Sequence, residues 1–199
     1  MTGDLYITGD PDKDRLLNTD GTALLIGMQL DQQVPMEWAF MGPTTLRQRL
    51  GHLDATRIAA MDQERFVAVC CDKPAIHRFP AVMGRRIHAM CAVLADRYGG
   101  RPEQLWMTAA TGADLYRRLR ELPGYGEEKA QIFVALLAKR FGVRPKGWRA
   151  AAGVFADDQP RTIADCRDPE SLARVREWKR IQREAKKDKQ GRELPQRAG

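Results

Sequence analysis

Apolar residues recur at helical spacing through most of this chain, and the strict alternation that marks strands is nearly absent. Asp20 stands where a helix N-cap belongs, ahead of Ala23, Leu24, Leu25, Met28 and Leu30. Pro35 suits the first turn of a second helix carrying Trp38, Ala39, Leu46 and Leu50, with Gly51 as its stop and Pro43 expected to split or kink it. Short helices are expected over residues 54–61 and 62–71, then a loop over 72–80 between two prolines. A longer helix over 82–98 ends at Gly99-Gly100, and Thr111 with Asp114 caps one carrying Leu115, Leu119 and Leu122. A helix over 127–141 closes at Gly142, residues 143–168 read as irregular, and a final basic helix runs from 169 to about 189. The expected fold is all-α, with nine or ten helices and no internal repeat.

A chain of 199 residues can build one good core or two small lobes sharing a cleft. Its hydrophobic content of 43% and charged content of 30% are those of a globular protein. No apolar run reaches the roughly 18 residues that cross a bilayer, and the first residues are polar, so a cytoplasmic, nucleoid-associated protein without membrane contact is expected. The formal charge of +7 is unevenly placed. Residues 174–199 hold ten Lys/Arg against four Asp/Glu, a net of +6, which leaves +1 for residues 1–173. The chain therefore divides into a helical domain, 1–173, and a basic helix and tail, 174–199. That tail suits a clamp on nucleic-acid phosphates, or equally a solvated helix. Cys70, Cys71, Cys91 and Cys166 lack C-x-x-C spacing, and His52, His77 and His88 lack metal spacing. Reduced, buried thiols, no metal, no cofactor and a monomer are the expectations.

The most informative residues are Leu122-Pro-Gly-Tyr-Gly126, followed by Lys129-Ala130. A glycine-bracketed turn between helices exposes backbone N–H groups at the positive end of the second helix, where a phosphate can dock. Gly124 and Gly126 allow positive φ and close approach, and Lys129 adds charge one turn into the helix. The competing reading is a plain turn between packed helices. Phe79 with His77 and Arg78, in the proline-bracketed loop, is a further candidate for DNA contact. Trp38, Trp106 and Trp148 are candidates either for stacking on a base or for the core.

The segment Leu122–Gly126 with Lys129-Ala130 resembles the helix-hairpin-helix of the HhH-GPD superfamily of base-excision DNA glycosylases. Upstream, the run from Leu24 to Leu30 followed by Asp31-Gln32-Gln33 is similar to that family's first core helix, which ends in a Ser-Gln-Gln-like triplet. It resembles most a compact subgroup without an iron–sulfur cluster, through Leu30-Asp-Gln-Gln-Val-Pro-Met-Glu37. The resemblance spans about residues 20–145. It implies double-stranded DNA as partner and two helical lobes flanking a cleft for a flipped nucleotide. It places Gln33, beside Gln32, where the family fills the gap in the duplex. The residues Gly124, Tyr125, Gly126 and Lys129 would meet DNA.

The family's chemistry needs a carboxylate near the sugar, and bifunctional members add a lysine two residues after the second hairpin glycine. Glu128 occupies that position here, and Lys129, one residue later, is expected to be turned by about 100°. A monofunctional, hydrolytic glycosylase is therefore the first reading. The family's aspartate would fall near residues 148–150, but there is no acid from 140 to 156. Asp157, Asp158 and Asp165 are the next candidates, Asp165 first because it follows Thr162-Ile163-Ala164; its alternative role is as a cap. A non-catalytic DNA-binding protein and a helical protein-interaction module are the rival readings.

Overall fold

The computed structural model describes residues 1–194, which form eleven α-helices and two short 3-10 turns without a β-strand. Helix α1 (Pro11–Thr19) follows an extended N-terminal segment that buries Leu5 and Ile7. The pattern of apolar residues does not announce α1, but its caps do: Asp10 accepts from the N–H groups of Asp12 and Lys13, and Pro11 opens the first turn. Asp20 caps α2 (Gly21–Leu30) by accepting from Ala23 N–H, and every residue of α2 is buried. Such a helix has no solvent face and must lie at the centre of the fold.

Helix α3 (Met36–Leu50) runs unbroken through Pro43 and stops at Gly51 in the left-handed conformation. It lies close to α2 because each helix offers the other a glycine. A Cβ on Gly27 would press into the Phe40 ring, and one on Gly42 would collide with Leu30. Two shorter helices, α4 (Ala55–Ala59) and α5 (Gln63–Cys71), pack against α6 (Pro80–Tyr98). Then come α7 (Glu103–Met107), α8 (Gly112–Arg120) and α9 (Glu127–Arg140). Like α2, α9 is deeply embedded, with Ile132 through Ala138 all buried. The stretch expected to be irregular contains α10 (Trp148–Ala152), and both 3-10 turns, Gly153–Ala156 and Ile163–Asp165, pack on α9.

Asp168 caps the last helix, α11 (Pro169–Glu184), five residues shorter than expected. The basic stretch starts inside this helix, where Leu172 and Val175 reach the core. Much of its charge is neutralised locally. Arg174 pairs with Glu170, Arg176 with Glu37, and Arg180 with Glu177 and Glu184. The end of the tail, residues 195–199 with Arg197, lies outside the described residues. Among the described residues no helix is long and apolar enough to cross a membrane. Cys70, Cys91 and Cys166 are buried thiols, with burial pushing Cys70 and Cys166 up to about 12, and Cys71 is half-buried.

The close α2–α3 contact makes a prediction. Gly27→Val forces a branched side chain against Phe40 and should destabilise the fold by about 1–3 kcal/mol. Urea denaturation should show a lower midpoint with an unchanged slope. An unchanged midpoint would mean that the two helices are not in contact at Gly27.

Candidate functional site

The turn between α8 and α9 is fixed to α2 by two side chains, one from the turn itself and one from the first turn of α9. Tyr125 donates its hydroxyl to Leu25 O at 2.8 Å, and Lys129 donates from Nζ to Gln29 O at 2.9 Å. The two acceptors lie four residues apart, one turn of α2, so the contacts run along one side of that helix. Gln29 O is among the last carbonyls of α2, which lack intrahelical donors, and Lys129 acts as their cap. Gly124 sits over the Gln29 side chain at φ +83°, where any Cβ would collide with the amide. Gly126 is different: its φ is −73° and, among the described residues, nothing lies within 4 Å of an added Cβ. Among the described residues no side chain caps α9, and its first-turn N–H groups have no side-chain acceptor.

Beside this turn opens a cavity of about 710 Å³. Its walls come from the end of α2 (Asp31 to Val34), the start of α9 (Gly126 to Lys129), and α11 with the segment after it (Trp178, Lys179, Gln182, Lys189). Lys129 is half-buried there, and loss of water lowers its ammonium to about 8; Asp31 offsets part of this, while Lys189 and Arg86 add to it. Lys179 is lowered for the same reason, again opposed by Asp31. Its Nζ has Met36 Sδ at 2.7 Å, a thioether and hence a weak acceptor. Glu128 pairs with Lys189 across the opening at 3.3 Å. Asp31, also half-buried, makes no side-chain hydrogen bond or ion pair among the described residues.

No family model, no curated protein and no solved structure matches this chain.

The rim of the cavity carries Gln32 and Gln33, both exposed. Gln33 adopts φ +58°, a conformation L-residues seldom hold unless their surroundings impose it. The support is His77, which is only 1% exposed. Its Nδ1 accepts from Phe79 N–H at 3.0 Å, so the ring proton sits on Nε2 and is donated to Gln32 O at 2.9 Å. His77 thus ties the loop after α2 to the loop before α6. Around it lie Trp38, stacked on the His77 ring and 37% exposed, and Phe79, 44% exposed with the Arg78 guanidinium over its face. Arg86 bonds the Gln32 side chain at 3.0 Å.

Several sequence expectations change in position. Tyr125, expected at DNA, is 3% exposed and points into the core. His77 is likewise a strut and not a surface contact; Arg78 is exposed as expected. Lys129 does not turn away from the cleft, because both it and Glu128 line the cavity. The three aspartates proposed for catalysis lie elsewhere. Asp165 caps its own turn and pairs with Lys139 at 2.7 Å, and Asp157 is held by Arg161. Asp158 and Asp165 line a separate cavity with Lys139, Arg140, Arg149 and Arg174. The carboxylates on the hairpin's own cavity are Asp31, Glu127, Glu128 and Asp188. Asp31 lay inside the motif that drew attention to Gln32 and Gln33, but its likeness to the family's serine position gave no reason to count it.

Two titrations test this geometry. Between about pH 8 and the ordinary lysine value near 10.4, the unfolded chain keeps a proton on Lys129 that the folded chain has released. Stability therefore gains as pH rises through that window, and Lys129→Gln should abolish this part of the gain in urea titrations. Equal pH slopes in both proteins would mean the ammonium is solvated. Burial also lowers His77, so stability should be lost as pH falls below about 6.5, when only the unfolded chain takes up the proton. His77→Gln should flatten that acid limb; an acid limb left unchanged would show that His77 is not the buried strut.

Proposed function

We propose that this chain binds duplex DNA, receives an extruded nucleotide in the cavity beside the hairpin, and hydrolyses the glycosidic bond of a damaged base. The observation that carries the reading is convergence: the Gln32-Gln33 loop and the 123–126 turn, some ninety residues apart in sequence, border one cavity. On this reading the helices around α3–α6 and those around α8–α11 are the two lobes, and α2 runs between them. The uncapped start of α9 holds a phosphate through its N–H groups. Gln33, locked outward on a strained backbone, fills the gap left in the stack, with Phe79 and Arg78 beside it on the same face. The acids Glu127 and Glu128 oppose phosphate binding, so affinity rests on the N–H groups and on arginines 78 and 86. Lys129 is bonded through its proton to Gln29 O, which favours water over lysine as the attacking group. A non-catalytic DNA-binding role is the second reading, favoured because none of Asp157, Asp158 and Asp165 lines this cavity.

Gly126→Ala separates phosphate approach from folding, because its backbone conformation and its surroundings both accept a methyl group. Thermal stability should hold while affinity for duplex DNA drops about ten-fold or more, the worth of one charge-assisted hydrogen bond. Full affinity would remove the turn from the interface. Borohydride should trap no covalent protein–DNA adduct from a duplex carrying the excised lesion. An adduct that disappears in Lys129→Gln would replace hydrolysis with a lysine mechanism.

A further inference from the structure

Asp157, Asp158 and Asp165, the carboxylates that the sequence suggested for excision, do not line this cavity, which carries carboxylates of its own. Asp31 terminates α2, where the helix dipole is negative and a carboxylate is disfavoured. Its side chain makes no hydrogen bond or ion pair among the described residues, so packing and capping do not explain it. The neighbouring charges do bear on it. Lys129 and Lys179 flank the same cavity, each feels the Asp31 charge, and neither has a carboxylate within ion-pair distance among the described residues. A local rule broken with no structural return is expected at a working site. The other acids on this cavity are less apt. Glu128 is paired with Lys189, Asp188 is bonded to Arg192, and Glu127 is exposed in the first turn of α9, where the helix dipole already favours an acid.

We propose that Asp31 is the catalytic carboxylate of this cleft, placed by the end of α2 against the sugar of the extruded nucleotide. The inference rests on the reading of the cavity as a nucleotide site. The C1′–N bond breaks with its electron pair passing to the base, and the Asp31 charge stabilises the cation developing on the sugar ring. A water oxygen then bonds to C1′; Asp31 takes one of its protons and returns it to solvent. The departing base acquires one proton, so one water is consumed and a free base and an abasic sugar are formed. The positive charges of Lys129 and Lys179 on the same cavity offset the repulsion between Asp31 and the DNA phosphates.

The test uses the full chain and a panel of duplexes, each with one modified base, scored by alkaline cleavage at abasic sites under single-turnover conditions. Asp31→Asn should fold with unchanged helicity and melting temperature, because the carboxylate bonds nothing. It should bind the excised duplex as tightly as the parent or more tightly, and excise it about 100-fold more slowly or worse. Asp96→Asn, at an exposed site of α6 away from this cavity, should excise at the parental rate. Excision by Asp31→Asn at the parental rate would overturn the Asp31 assignment and leave the DNA reading standing. A parent protein that binds duplexes but excises nothing would overturn the hydrolytic reading and Asp31 with it.

Discussion

The seating of the hairpin on α2 governs the rest of the molecule. Tyr125 and Lys129 each donate to a carbonyl of α2, and Gly124 lies flat on Gln29 between them. Tyr125 satisfies its hydroxyl inside the core, where an unbonded phenol would be costly. Lys129 closes the end of α2 from outside the helix. These contacts fix how far α9 projects beyond α2, and so set the depth of the cavity between them. The Gln29 amide, buried without a hydrogen-bond partner beneath the turn, shows how closely the two segments meet.

From that seating the division of labour among the glycines follows. Gly124 and Gly126 read alike in sequence, as two small residues around a tyrosine. In the structure only Gly124 of the two has φ above zero, and the space that a Cβ there would need is taken by Gln29. Gly126 has ordinary dihedrals and open space in front of it, the condition for close approach from outside. A second support of the same kind holds the rim. Neutral His77 joins two loops through both ring nitrogens, and the strained Gln33 backbone sits beside the carbonyl it binds.

Local chemistry was the readable part of this sequence. Asp20 and Thr111 cap helices where side-chain types suggest they would, and Gly51 and Gly99 end helices in the left-handed conformation. Helices α1, α7 and α10 were not anticipated: two have only five residues, too few to establish a period, and α1 begins in a polar stretch. The site was readable only in part. The hairpin and the Gln-Gln segment could be named, but the direction of Tyr125, His77 and Lys129 could not, since polar side chains serve equally as struts and as contacts. Asp165 carries the same ambiguity: in the structure its oxygens cap the Thr162 turn and pair with Lys139. Asp31 escaped notice because its distinction lies in what fails to bond it, a property no spacing encodes.

Whether the open face of the turn meets DNA can be read residue by residue. Backbone amide shifts in an ¹⁵N-labelled chain, followed through titration with a short duplex, would map the contact without altering any side chain. If the turn binds a phosphate, the largest changes should fall on the amides of Gly126, Glu127 and Glu128, with a second group at Gln33 and Phe79. Changes confined to the opposite end of α9, around Arg140 and Arg149, would place DNA elsewhere and contradict the hairpin as its binding element.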